Sequence, residues 1–157
     1  MNTRIEHWNN PDAPAANSLV PASNLLVINS AGEILMQRRR DTGQWALPGG
    51  MQELGETPSQ CAVRECAEET GILAEITGLL GVYSDPNHLI EYLSDGEVRQ
   101  EYEVTYLGRP ISGAPTTNEE ASAVHWIEPT ALDDYDVHPT MRRQLNDYLT
   151  GRYPVAD

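Results

Sequence analysis

The run Leu25-Leu26-Val27-Ile28 lies in a stretch, 22–29, that reads as a strand. Ser30-Ala31-Gly32-Glu33 is turn-like, and 34–38 returns as the second half of a hairpin. Residues 39–45 read as a loop, and 46–48 as a short strand leading into Gly49-Gly50. A further strand is predicted over 74–83, with a turn at 84–87. A second hairpin, 88–93 with 97–107, folds around Ser94-Asp95-Gly96. Residues 108–120, rich in Gly, Pro and Thr, read as a loop. A strand follows over 122–127, then a short helix over 129–134. The last helix, 139–149, is amphipathic, with Met141, Leu145, Tyr148 and Leu149 on its apolar side. Residues 1–19 form a Pro/Asn/Ala-rich arm, read as a loose leader or as an arm packing on a partner subunit; 20–157 is one domain. Strands interspersed with two substantial helices predict an α/β (α+β) layered fold.

The helix best specified by its residues begins after Thr57. Thr57 is an N-cap, Gln60 completes a capping box, Pro58 takes the first helical position and Gly71 stops the helix. Ala62, Val63, Cys66 and Ala67 form its predicted inner face, with the acidic side opposite. Glu65, Glu68 and Glu69 stand at i, i+3 and i+4, neighbours on one helical surface. Like charges that close repel, and a cation that binds oxygen relieves them. Mg²⁺ suits such a site because it takes a few carboxylates and keeps waters and substrate phosphates as its other ligands.

Composition narrows the function classes. The formal net charge is −14 and every one of the ten basic residues is arginine. Long nucleic acids need a basic footprint, so a long RNA or DNA partner is not expected, whereas a nucleotide is. No apolar run has membrane-span length, and the polar N-terminus lacks the apolar centre of a signal peptide, so a cytoplasmic protein is expected. Cys61 and Cys66 are five apart on one helix and should stay reduced and unbridged. There is no Phe, so the core must rest on Leu, Val and Ile with Tyr and Trp.

Gly50, Glu56, Arg64-Glu65-Cys66, Glu68-Glu69 and Gly71-Ile72 occupy every fixed position of a known signature. On these residues the chain resembles the Nudix hydrolases. Cys66 in an aliphatic slot is a mild departure, since a buried Cys behaves as a small hydrophobe. The resemblance covers about 22–150, its specific part lying in 45–72. It implies an α/β/α sandwich, a mixed sheet between helices. It also implies Mg²⁺, with Mn²⁺ as substitute, held by the Gly50 carbonyl, Glu65, Glu68 and Glu69, with Glu56 as ligand or outer carboxylate. Arg64 would orient one of these carboxylates. One glutamate could instead deprotonate water, and the motif leaves open which.

Outside the motif, Glu120 is a second candidate base or ligand, with Glu119 as its alternative. Among Arg38, Arg39 and Arg40, alternate members of a strand face opposite sides, so Arg39 or Arg40 could reach substrate phosphate. Trp45 could stack on a base or sit in the core. Tyr83 and Asp85 fall where the family varies its substrate pocket. His88 and His125 read as structural, and His138 as a cap for the last helix. The leading expectation is metal-dependent hydrolysis of a diphosphate linkage in ADP-ribose, a nucleotide sugar, a dinucleotide or a nucleoside triphosphate. The alternative is a non-catalytic nucleotide-sensing module. An isoprenoid-diphosphate isomerase is disfavoured, because both cysteines lie on the motif helix. A homodimer is compatible with the resemblance.

Overall fold

The computed structural model describes residues 3–157. The chain runs β1 (Arg4–Trp8), β2 (Ser18–Val27), β3 (Ile34–Arg39), β4 (Trp45–Ala46), β5 (Gly49–Met51), α1 (Pro58–Thr70), β6 (Ile72–Ser84), β7 (His88–Tyr92), β8 (Val98–Gly113) and β9 (Ala121–Ile127). A 3-10 turn (Pro129–Asp134), α2 (Pro139–Leu149) and β10 (Val155–Ala156) follow. Strands β1, β7, β8, β2 and β5 form the path of a mixed seven-stranded sheet, with β6 on β8 and β10 on β6. A smaller antiparallel sheet holds β4, β3 and β9 in that order.

Alternation along β2 divides the core. Leu25 and Val27 pack with Ala62 and Cys66 of α1, while Leu26 packs on the opposite side with Leu80, Ile127 and Leu145 of α2. Each such fully buried Leu or Ile contributes about 1.5–3 kcal/mol. The helices therefore cover opposite faces of the strands, the expected α/β/α arrangement. Among the described residues no helix is long and apolar enough to cross a membrane.

Several expectations are corrected. The first hairpin does not extend: the chain reverses with an Ile28–Ile34 bridge and an Asn29 N–H to Glu33 carbonyl bond, but β2 and β3 lie in different sheets. β8 lies parallel to β2 over its whole length, and β5 takes its other edge at Ala22–Asn24. β3 instead pairs along its length with β9 and, at Gln37 and Arg38, with β4. β8 also runs into the expected 108–120 loop. Beyond Gly108, β2 no longer accompanies it, so Pro110, which lacks an N–H, occupies an edge. The N-terminal arm contains a strand, with β1 antiparallel to β7 and Glu6 opposite Ile90.

α1 keeps its predicted bounds and caps. Thr57 Oγ1 accepts the Gln60 N–H at 3.2 Å, and the Thr57 N–H donates to Gln60 Oε1 at 2.9 Å. Gly71 closes the helix at φ 77°, and its N–H donates to the Ala67 carbonyl. The inner face is turned from expectation: Cys61, Ala62, Cys66, Glu69 and Thr70 are buried, whereas Val63 and Ala67 are partly exposed. Both cysteines are free. On α2, Gln144 rather than Leu149 joins Leu145 in the interior, and His138 caps the helix, its ring nitrogen accepting the Thr140 N–H.

Candidate active site

The turn of α1 puts one carboxylate inside. Glu69 is 5% exposed, and its Oε1 accepts the Gly49 N–H at 3.4 Å. Glu65 lies one turn earlier, and Glu68 faces solvent. Burial, reinforced by the neighbouring Glu65 carboxylate, pushes the Glu69 carboxyl well above the ordinary range. Gly49 and Gly50 make this approach feasible. A Cβ on Gly50 would stand 2.6 Å from the Glu65 carboxylate, and one on Gly49 would stand 2.0 Å from Asn24 Oδ1.

Arg64 clamps the other acids. Its Nη1 donates to Glu65 Oε1 at 2.9 Å and Glu68 Oε2 at 3.2 Å. Its Nη2 donates to Glu56 Oε2 at 3.1 Å and the Met51 carbonyl at 3.2 Å, and Nε donates to Glu56 Oε1. This guanidinium holds the Glu56 carboxyl down to about 2. Glu69, by contrast, makes no ion pair within 4.0 Å among the described residues.

A cavity of about 540 Å³ opens over this end of α1. Gly50, Arg64, Glu65, Glu68 and Glu69 line it, with Glu120 and Arg39 from other elements. Glu120 is set by Asn118, whose Oδ1 accepts the Glu120 N–H at 2.8 Å while its Nδ2 donates to the Glu69 carbonyl at 2.7 Å. Glu119 is not among the lining residues. A recess of about 160 Å³ adjoins, lined by Gln37, Arg39, Arg40, Asp41, Glu69 and Glu120. Arg39 is gripped by Asp41 through two bonds, 2.9 and 2.7 Å, and Arg40 Nε donates to the Asn118 carbonyl.

The remaining expected residues lie elsewhere. Glu56 stands behind Arg64 and off the cavity lining. Trp45 is 8% exposed and packs in the core against His125 and the edge of Tyr135, because β4 belongs to the smaller sheet. Tyr83 and Asp85 line a separate cavity of about 140 Å³, which shares Glu101 and Glu103 with the large one. Tyr83 donates its hydroxyl to Asp147 at 3.1 Å.

Sequence reasoning missed five charged residues of the large cavity: Arg4, Glu53, Arg99, Glu101 and Glu103. The last three alternate along β8, so period-2 spacing could have grouped them once that strand was read as polar on one face. Glu103 accepts from Gln144 Nε2 at 2.6 Å, and Gln144 Oε1 accepts from Thr105 at 2.8 Å, which ties α2 to the cavity floor. Burial raises the carboxyls of Glu101 and Glu103.

The donor set is entirely hard oxygen and includes a buried, unneutralised carboxylate beside a second one. It fits Mg²⁺ or Mn²⁺.

A model of the NUDIX domain matches residues 18–148. The chain is 32% identical over 132 residues to a putative 8-oxo-dGTP diphosphatase of Bacillus subtilis (strain 168), covering 83% of this chain and 80% of the relative. It is 31% identical to an RNA pyrophosphohydrolase of Novosphingobium aromaticivorans, covering 84% of this chain and 91% of the relative. A NUDIX hydrolase structure from Nitrosomonas europaea shares the fold at TM-score 0.70 and 20% identity, over 88% of this chain and 94% of that one.

Proposed function

The chain belongs to the Nudix family and is a pyrophosphohydrolase, and on that premise we propose that it cleaves a diphosphate linkage in a small nucleotide with Mg²⁺ bound. The observation that carries this reading is one cavity lined by both Glu65, Glu68, Glu69 and Glu120 and by Arg4, Arg39 and Arg99. Carboxylates alone would repel a polyphosphate; arginines alone would bind it without activating water.

Glu65, Glu68, Glu69 and the Gly50 carbonyl would hold the divalent ion, the box carboxylates drawing together around it. When bound, such an ion neutralises phosphate oxygens, acidifies water and stabilises the departing phosphate. Arg39, kept in one orientation by Asp41, presents its remaining N–H groups to phosphate oxygens, with Arg4 and Arg99 beside it. The proton of the attacking water would pass to Glu120, or to Glu69 in place of its role as ligand, the two glutamates that line both the cavity and its recess. Gln37, whose Oε1 is buried without a partner among the described residues, lines the recess beside these two glutamates.

Two relatives are named for nucleoside triphosphates, an 8-oxo-dGTP diphosphatase and a nucleoside triphosphatase, which supports a triphosphate as the group recognised. With 24 acidic residues against ten arginines, a nucleoside triphosphate is favoured over a long RNA. The test is release of pyrophosphate or nucleoside monophosphate from a panel with Mg²⁺: 8-oxo-dGTP, ordinary triphosphates, ADP-ribose, a nucleotide sugar and a 5′-triphosphorylated oligonucleotide. Strong turnover of one compound, reduced about 10²–10⁴-fold in Glu69→Gln, is expected. Full activity in that variant would remove the box from the chemistry. No turnover by the wild type would favour binding without cleavage.

A further inference from the structure

Away from the box carboxylates, three side chains from three elements converge. Glu6 comes from β1, His88 from the start of β7, and His138 from the cap of α2. One ligating atom from each lies within 4.8 Å of the other two. His88 Nε2 stands 3.0 Å and His138 Nε2 2.9 Å from the same oxygen, Glu6 Oε2. With bonds of about 2.0–2.1 Å, the ligands of a tetrahedral zinc ion are separated by roughly 3.3 Å, so small side-chain movements would admit one. We propose that Glu6, His88 and His138 form a second metal site, for a zinc-class ion, distinct from the box carboxylates.

The surroundings support the assignment. Trp8 stacks on the His88 ring at 3.6 Å and 8°, which fixes its plane. Arg4 donates to the other Glu6 oxygen, Oε1, at 3.1 Å, leaving Oε2 directed at the imidazoles. Supporting bonds of this kind orient metal ligands. His88 lines the 140 Å³ cavity together with Asp85, Glu101, Glu103 and Arg143, the last paired with Asp157, so a water has room for a fourth position and acidic groups outnumber basic ones. Imidazole with one carboxylate suits zinc, cobalt or nickel, whereas the all-oxygen box suits magnesium.

Binding has a definite proton cost. His138 Nδ1 accepts the Thr140 N–H at 3.3 Å, so without an ion its Nε2 carries the proton and donates to Glu6. A metal on Nε2 moves that proton to Nδ1 and gives up the long cap bond.

Co²⁺ titration reads the site directly, because four-coordinate cobalt with nitrogen ligands absorbs visible light far more strongly than an octahedral oxygen site. The intense band is expected in the wild type and in Glu69→Gln, displaced by Zn²⁺, and lost in His88→Gln. That replacement keeps an N–H for Glu6, and its far-UV circular dichroism checks folding. Independently of any variant, long-range ¹⁵N–¹H spectra of the wild type with Zn²⁺ should show His138 change from the Nε2–H to the Nδ1–H form. Absence of the band in the wild type, its loss in Glu69→Gln with retention in His88→Gln, or imidazole nitrogens unmoved by Zn²⁺ would each overturn the site.

Discussion

Arg64 holds three carboxylates at once, which explains how an acidic helix face survives in a chain of net charge −14. Its grip on Glu56 has a pH signature. The Glu56 carboxyl titrates near 4.5 in an ordinary setting and at about 2 in the fold. A depressed carboxyl stabilises the fold fully above the higher value and loses that contribution as pH falls through the lower one. Glu56→Gln should therefore melt below the wild type at neutral pH, and the gap in Tm should close between pH 4.5 and about 2. A gap that persists at pH 2 would assign Glu56 a role other than pairing. The family signature implied that Arg64 orients one of these acids. It did not show Glu69 buried and Glu68 exposed, since that depends on how α1 is rolled against the sheet.

Among elements, α1 was legible almost completely. Its cap, first proline and terminal glycine act through backbone groups within a few residues, so sequence carries them without help from the rest of the fold. Thr57→Ala removes the hydroxyl that accepts the Gln60 N–H. It should cost about 1 kcal/mol and lower Tm by roughly 2–4 °C for a chain of this size, with turnover on the preferred nucleotide nearly unchanged. An undiminished Tm would mean the box is redundant with packing. The strands were less legible. β2 and β3 read as a hairpin because a turn separates two apolar runs, but pairing is decided by which edges remain free. β8 follows β2 along its length, and β3 takes β9 and β4 as its partners.

At the level of the whole molecule, the cavity is an assembly of β1 to β5, β7, β8, α1 and α2, and β1 lies outside the 18–148 stretch that matches the family. Pairing with β7 delivers Arg4 to the cavity rim. Arg4→Ala should raise KM for the cleaved nucleotide several-fold while changing kcat less, as steady-state kinetics would show; an unaltered KM would place Arg4 outside substrate recognition. The sequence by itself determined the family signature, the capped helix and the clustered carboxylates, all of which lie within one continuous segment, 50–72. Only the tertiary structure decided that Glu120 rather than Glu119 lines the cavity, that Trp45 belongs to the core, and that Arg4, Arg99 and the Glu6–His88–His138 cluster exist as groups. Their members lie tens of residues apart, and strand pairing between distant segments brings them together.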